Sequence, residues 1–288
     1  MNYRHVYHAG NFADVLKHAV LTLVIEHLKL KPAPFRVIDT HAGNGSYDLS
    51  SVEAQKTGEW LDGIGRLIDA PLPPDVACIL APYLAAVRRE NAGHAGALQR
   101  YPGSPQIARS LMRADDRLVV NELHLEDNAR LTTQFAGDPQ TTVLAIDGWD
   151  AVRALLPPKE RRGVTLIDPP FEEPDEFSRL VQALRDAHKR FATGTVILWY
   201  PIKDERAVAA FHAQLQGILA ARLLSVVLMV RSPEHLGGLP GTGLVISNPP
   251  FTLEAKLEVL LPFLKNTLQQ GTGARAHIEW LRREQAVT

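Results

Sequence analysis

Asp168, Pro169, Pro170 and Phe171 stand directly after the apolar run Val164-Thr165-Leu166-Ile167. The run has the length and character of a buried parallel strand, so the acid is expected at its carboxyl end, where open α/β sheets hold their ligands. Two successive prolines remove two backbone donors and fix φ, which stiffens the loop and leaves nearby carbonyls free to accept hydrogen bonds. An acceptor side chain, a carbonyl acceptor and an aromatic face together can hold an amino-bearing ring such as adenine, with Phe171 stacked on it. A plain strand-ending turn uses the same residue types, so the tetrapeptide by itself leaves both readings open.

Three more places carry residues of the right type. The run Val37-Ile38-Asp39 leads into Thr40-His41-Ala42-Gly43-Asn44-Gly45, where Gly43 and Gly45 let the backbone turn tightly and approach a ligand. The third glycine of the dinucleotide fingerprint is missing. Its position holds Asp48, an acid that would repel a pyrophosphate, so a phosphate-free, cationic nucleoside is the better fit. Glu122 ends the second strand, where an acid can hold ribose hydroxyls, and Asp147-Gly148 ends the third, where a carboxylate can accept from an adenine amino group. Upstream, Asn11 has the type and place of a helix N-cap with Asp14 three residues on, while Asp14, Lys17 and His18 share one helical face. That face is either solvated or, given the aromatic and basic leader from Tyr3 to His8, a contact for nucleic acid or cofactor.

The elements that must position these groups alternate between strand-like and helix-like, which means an α/β fold. Strand candidates are 36–40, 118–123, 143–147, 164–168, 195–200, 225–230 and 244–247, enough for one doubly wound, seven-stranded sheet. Helical patterns cover 12–28, 107–113, 127–135, 176–191, 206–219 and 253–268. Residues 50–116 do not fit the alternation; with prolines at 71, 73, 74 and 82 as breaks and no convincing strand, they read as a mostly helical insertion after the first strand.

Composition bounds the answer. A 288-residue chain that is 45% hydrophobic and 22% charged can bury a large core, and no apolar stretch is long enough to span a bilayer. With no signal-like leader, a cytoplasmic protein is expected. The single cysteine, Cys78, excludes an internal disulfide and a multi-cysteine zinc site, and His5-x-x-His8 has no partner motif, so no metal is expected. A net charge of −1 argues mildly against a nucleic-acid partner, although basic residues cluster at Arg88-Arg89, at Lys159 with Arg161-Arg162, and at Arg185 with Lys189-Arg190.

Taken together, the motifs resemble the class I, S-adenosylmethionine-dependent methyltransferases that act on exocyclic amino groups, and more closely the 23S ribosomal RNA adenine N6-methyltransferase J family. The matching pieces are Tyr-Arg-His at 3–5 with the run His8 to His18, Asp39-Thr-His-Ala-Gly-x-Gly45, Tyr101-Pro-Gly-Ser-Pro105, Glu122-Leu-His124, Ile167-Asp-Pro-Pro170, Lys189-Arg-Phe-Ala-Thr-Gly-Thr195 and Leu198-Trp-Tyr-Pro201. The resemblance implies a Rossmann-like α/β fold with a mostly parallel sheet; with the insertion read above, residues 1–49 and 117–288 are expected to form the methyltransferase domain and 50–116 an inserted subdomain. It implies that His18, His41, Ser104, Glu122, Asp147 and Gly148 line the S-adenosylmethionine site beside Gly43 and Gly45. It further implies that Asp168 contacts the cofactor and accepts the target's proton. Pro169 and Phe171 are expected to hold the base, and Tyr3 and Lys17 the RNA. Phe171 replaces a tyrosine common in the family, which removes a hydroxyl and keeps the stacking face. A monomer is expected, with 23S ribosomal RNA as partner and S-adenosylhomocysteine as product.

Asn248-Pro249-Pro250-Phe251 matches the same tetrapeptide after Leu244 to Ser247. In a seven-stranded sheet of this type the reactive loop follows the fourth strand, which ends at Asp168, whereas the last strand runs antiparallel and opens its loop away from the cofactor. Asp168 is therefore the expected catalytic residue. DNA adenine or a protein amide as acceptor, and a nucleotide-binding protein without transferase activity, stay as alternatives.

Overall fold

The computed structural model describes residues 4–94, 97–218, 222–234 and 237–283. A 3₁₀ turn at His5–Tyr7 leads into α1, Phe12–Lys29. Asn11 caps it: its Oδ1 accepts from the Ala13 and Asp14 amides at 2.9 and 3.0 Å, and Asp14 Oδ2 reaches back to the Gly10 amide at 2.9 Å. From Phe12 to Ile25 every residue of α1 is buried, the helix being covered on nearly all sides.

The central sheet has eight strands, one more than the sequence suggests. Its parallel half consists of β1 (Arg36–Asp39), β4 (Arg117–Asn121), β5 (Thr141–Leu144), β6 (Gly163–Ile167) and β7 (Thr195–Ile202). The order is β5-β4-β1-β6-β7, and all neighbouring pairs are parallel. Beyond β7 lie β9 (Gly241–Ser247), β8 (Leu223–Met229) and β10 (Arg275–Arg282), each antiparallel to its neighbour. The added strand is β10, a partly exposed edge strand on β8.

Alternate residues of the strands feed two cores. Val37, Leu118, Val120, Val164 and Leu166 pack with α1, α5 (Ser104–Leu111) and α10 (Leu253–Leu268), while Ile38, Val119 and Ile167 face α7 (Gly148–Leu155), α8 (Glu176–Arg190) and α9 (Glu205–Gln216). Each fully buried Leu or Val in these layers contributes about 1.5–3 kcal/mol. Burial on both faces explains why β1, β4, β6 and β7 read as largely apolar runs, whereas β5, at the sheet edge, is only partly buried. The remaining helix of this body, α6 (Leu125–Gln134), packs beside β5.

Residues 50–116 differ from the expectation of a helical insertion without strands. They contain α2 (Val52–Thr57), α3 (Ile64–Ile68) and α4 (Pro74–Glu90), but also β3 (Arg100–Pro102), which pairs antiparallel with β2 (Ser46–Asp48). Their last helix, α5, packs on β1 and β4 as part of the sheet's own covering layer. Pro82 does not break α4. The carbonyl it deprives of a donor is that of Cys78, an exposed residue, so water can satisfy it. Among the described residues no helix is long and apolar enough to cross a membrane.

Candidate active site

The carboxyl ends of β1, β4, β5 and β6 meet along one edge of the sheet, and the side chains that follow them line a cavity of about 320 Å³. Asn121 ties three of these ends together. Its Nδ2 donates to the carbonyls of Thr40 and Ile146 at 3.0 and 2.9 Å, and its Oδ1 accepts from the Ile146 amide at 3.0 Å. Glu122 pins the glycine loop: Oε2 accepts from the Gly43 amide at 2.8 Å and Oε1 from the His124 amide at 2.7 Å. Burial raises the Glu122 pKa, against the pull of those two amides. Glu122 lines the cavity, and each of its oxygens has capacity to accept a second hydrogen bond.

Two glycines are required by space. Gly43 has φ +61°, and a Cβ there would lie 2.2 Å from Tyr47 Oη; a Cβ on Gly148 would lie 2.3 Å from His41 Nε2. Asp147 caps α7, with Oδ1 accepting from the amides of Trp149 and Asp150 at 2.8 and 3.2 Å, which leaves Oδ2 for a ligand.

A buried charge cluster on α1 meets Asp168 at the end of β6. Lys17 Nζ bridges Asp14 Oδ1 at 2.7 Å and Asp168 Oδ2 at 2.5 Å. Asp14, Lys17 and His18 are 2%, 3% and 1% exposed, so the polar face of α1 is neither solvated nor available to an RNA phosphate. Lys17, expected at the RNA, has its cation committed to two carboxylates and lines both cavities. Burial opposes its charge, but Asp14 and Asp168 outweigh burial and hold its pKa above the ordinary lysine value. Asp14 is likewise held well below the usual carboxylate range, because His5, Lys17 and His18 outweigh burial. His18 is pushed down to about 3 and His41 to about 4, both by burial, so both are neutral at physiological pH. The ring of His18 is fixed by Tyr101 Oη at 2.6 Å, itself 2.9 Å from Tyr83 Oη.

A second cavity of about 590 Å³ adjoins the first and shares Asp168, Lys17, Pro170 and His5 with it. Its walls include Phe171, Trp199, Pro201 and Leu239. Phe171 has φ +53°, a left-handed conformation that costs a non-glycine residue about 1–2 kcal/mol. Its ring packs edge-on against Phe177 and Trp199, with centroids 5.0 and 5.7 Å away. The arrangement is two chambers that meet at Asp168, with Glu172 also on the walls of both.

The family model described as Ribosomal RNA large subunit methyltransferase D, RlmJ, matches residues 32–282. The chain belongs to this methyltransferase family. It is 43% identical over 286 residues to Ribosomal RNA large subunit methyltransferase J of Haemophilus influenzae, an overlap that covers 99% of this chain and 100% of that protein. With the protein of the same description from Escherichia coli it shares 39% identity over 281 residues, 98% of this chain and 99% of that one. A crystal structure of a Legionella pneumophila protein superposes with a TM-score of 0.85 at 31% identity, covering 95% of this chain and 98% of the other.

In this methyltransferase framework the structure gathers His18, His41, Gly43, Ser104, Glu122, Asp147, Gly148, Asp168 and Pro169 around the first cavity. Gly45 stands behind that wall, its carbonyl accepting from the Gly103 amide at 2.8 Å. Phe171 lies in the second chamber, and Tyr3 lies outside the described residues. Asp48 is a correction. The glycine loop runs into β2, not into a helix, and Asp48 is the exposed last residue of that strand, accepting from the Ser50 amide and hydroxyl at 2.8 and 2.6 Å, so it does not test a phosphate. Asn248 sits at the opposite sheet edge, its Nδ2 donating to the carbonyls of Ala192 and Gly194 at 2.6 and 2.9 Å. Arg162 of one basic cluster is similarly occupied, its Nη2 donating to the Leu28 carbonyl at 2.7 Å. His5 and His8 each face a carboxylate, Asp14 at 3.0 Å and Glu59 at 2.9 Å.

Sequence reasoning passed over Asn121, Asp39 and Trp199. Asp39 is 2% exposed and its Oδ2 has no hydrogen-bond partner; burial pushes its pKa up to about 7, with Ser104 opposing and Asp168 reinforcing the rise.

Proposed function

We propose that this chain transfers a methyl group from S-adenosylmethionine to the exocyclic N6 of one adenine in 23S ribosomal RNA. The observation that carries this reading is Asp168, which stands between the two chambers and is salt-bridged to Lys17 at 2.5 Å. The first chamber fits the cofactor. A nucleoside needs carboxylates for its hydroxyls and amino group and close backbone approach, and Glu122, Asp147, Gly43 and Gly148 supply them. The second chamber, with Phe171, Trp199 and Pro201, fits a flat base taken out of a stack.

When bound, the cofactor supplies an electrophilic methyl group. The chain's task is to make a poor nucleophile attack it, since the N6 lone pair is delocalised into the purine ring. Asp168 and the Pro169 carbonyl accept hydrogen bonds from the amino protons, which draws the lone pair out of the ring plane and toward the first chamber. N6 gains the methyl group and releases one proton, for which Asp168 is the acceptor. Lys17 fixes that carboxylate and balances the acids around it, and Asp14 fixes Lys17. Holding both reactants in line supplies much of the remaining acceleration. Tyr3 belongs to the RNA-facing leader in this reading. The enzyme acts as a monomer in the cytoplasm, with the RNA as its partner.

A transfer assay with methyl-labelled cofactor and a panel of protein-free 23S RNA, adenine-containing DNA and peptide amides tests the proposal. Label is expected on the RNA alone, as N6-methyladenine. Asp168→Ala should lose transfer by about 10²–10⁴-fold, while calorimetry shows S-adenosylhomocysteine binding retained. Transfer to DNA or peptide in preference to RNA, or undiminished turnover by Asp168→Ala, would refute it.

A further inference from the structure

The first chamber contains an acid that the mechanism does not use. Glu176, the first residue of α8, is 3% exposed, and its Oε2 has no hydrogen-bond partner. It lines the cavity with Asp147, Gly148, Trp149 and Arg179 and takes no part in the second chamber. A buried polar oxygen without a partner is a standing cost, and it is relieved when a ligand supplies the missing group.

Position selects which part of the ligand this is. Glu122 stands at the end of β4 for the ribose, and Asp168 stands where the methyl group leaves. Glu176 lies toward Asp147 and Gly148: α8, which it begins, packs on α7, which Asp147 caps, and Arg179 of α8 also lines a neighbouring cavity with Asp147 and Trp149. That is the adenine end of the proposed cofactor site. Asp147 has already spent Oδ1 on the first amides of α7, so one of its oxygens alone can face the base. Adenine offers an amino donor and ring nitrogens that only accept. A carboxylate can satisfy the first and repels the second; an uncharged carboxyl can satisfy both.

We infer that Glu176 is an adenine-reading contact for the cofactor, an uncharged carboxyl that donates its O–H to a ring nitrogen and accepts from the amino group. The inference rests on the cofactor reading given above. The surroundings agree with an uncharged state. Burial pushes Glu176 up to about 7; Arg179 opposes this, and Glu172, Asp175 and Glu173 reinforce it. The same cavity is lined by the titratable groups of Asp147, His41 and His124, the last beside Asp127 at 3.4 Å. Arg179, the cation that favours an ionised Glu176, is itself paired with Asp175 at 3.0 Å.

Calorimetric titration with S-adenosylhomocysteine tests this without reference to turnover. The wild-type affinity should fall roughly tenfold between pH 6.5 and 8, as a group titrating near 7 loses the proton it needs for binding. Glu176→Gln, which keeps a donor and an acceptor but cannot titrate, should bind within about threefold of wild type at pH 6.5 and lose that pH dependence. Glu176→Leu should bind about tenfold more weakly at pH 6.5. The 7-deaza analogue separates contact from folding: if N7 is the ring nitrogen read, it should cost the wild type about tenfold and Glu176→Leu nothing. A flat wild-type profile, or unchanged affinity in Glu176→Leu, overturns the assignment and leaves the cofactor reading intact. Absence of any binding by the wild type overturns both.

Discussion

Replacing Lys17 with methionine keeps the length and apolar body of the side chain and removes the cation between Asp14 and Asp168. Asp14 is 2% exposed, and the lysine is 3% exposed, so water cannot replace the lost charge. Breaking a buried pair in this way costs about 3–5 kcal/mol. For a domain of this size that lowers the melting temperature by roughly 5–15 °C at pH 7. The sign with pH follows from burial. In the wild type the Asp14 pKa is depressed, so its contribution is present above the unfolded value and fades as pH falls through the folded one. In the variant burial acts with less opposition and raises the folded pKa. The penalty is then largest at neutral pH and shrinks as acid protonates Asp14. Asp14→Asn in the Lys17→Met background should recover much of the stability but not the transfer, because Asp168 still lacks its partner. Differential scanning calorimetry with a single-turnover assay reads both effects. A Lys17→Met protein that melts within a degree or two of wild type at pH 7, or a double variant with normal transfer, would refute the reasoning.

Other positions make separable predictions. Gly148→Ala should weaken S-adenosylhomocysteine binding at least tenfold in calorimetry, since the new Cβ would lie 2.3 Å from His41 Nε2. Asn248→Ala should leave transfer unchanged and cost about 1–3 kcal/mol in denaturant unfolding, because among the described residues its side-chain amide donates to the Ala192 and Gly194 carbonyls, away from the cavity. Asp39 titrates near 7 in the folded protein, above its unfolded value, so it makes stability fall as pH rises from about 4 to about 7; Asp39→Asn should flatten that part of a urea-unfolding profile.

The sequence was most legible where a pattern is local. Seven strands follow from short apolar runs, and the acids or glycines after β1, β4, β5 and β6 do converge on one edge because parallel strands place all their carboxyl ends there. Strand direction also separates the two Pro-Pro-Phe loops, since β9 runs antiparallel to β7 and carries Asn248 to the far edge. What escaped was what depends on partners distant in sequence. The polar face of α1 looks solvated until Asp168, 151 residues away, is brought against Lys17. Asn121 is an unremarkable strand residue until its amide meets Thr40 and Ile146. β3 is three residues long and exists by pairing with β2. By contrast β10 carried a readable signal: Ala276, Ile278 and Trp280 alternate with polar residues and pack on the core, the period of an edge strand.

The most direct measurement of the central claim is a map of N6-methyladenine in 23S ribosomal RNA from cells lacking this protein. One adenine should lose its methyl group, regain it when the wild-type chain is restored, and stay unmethylated with Asp168→Ala expressed at the same level. An unchanged map, or full restoration by Asp168→Ala, would contradict the account.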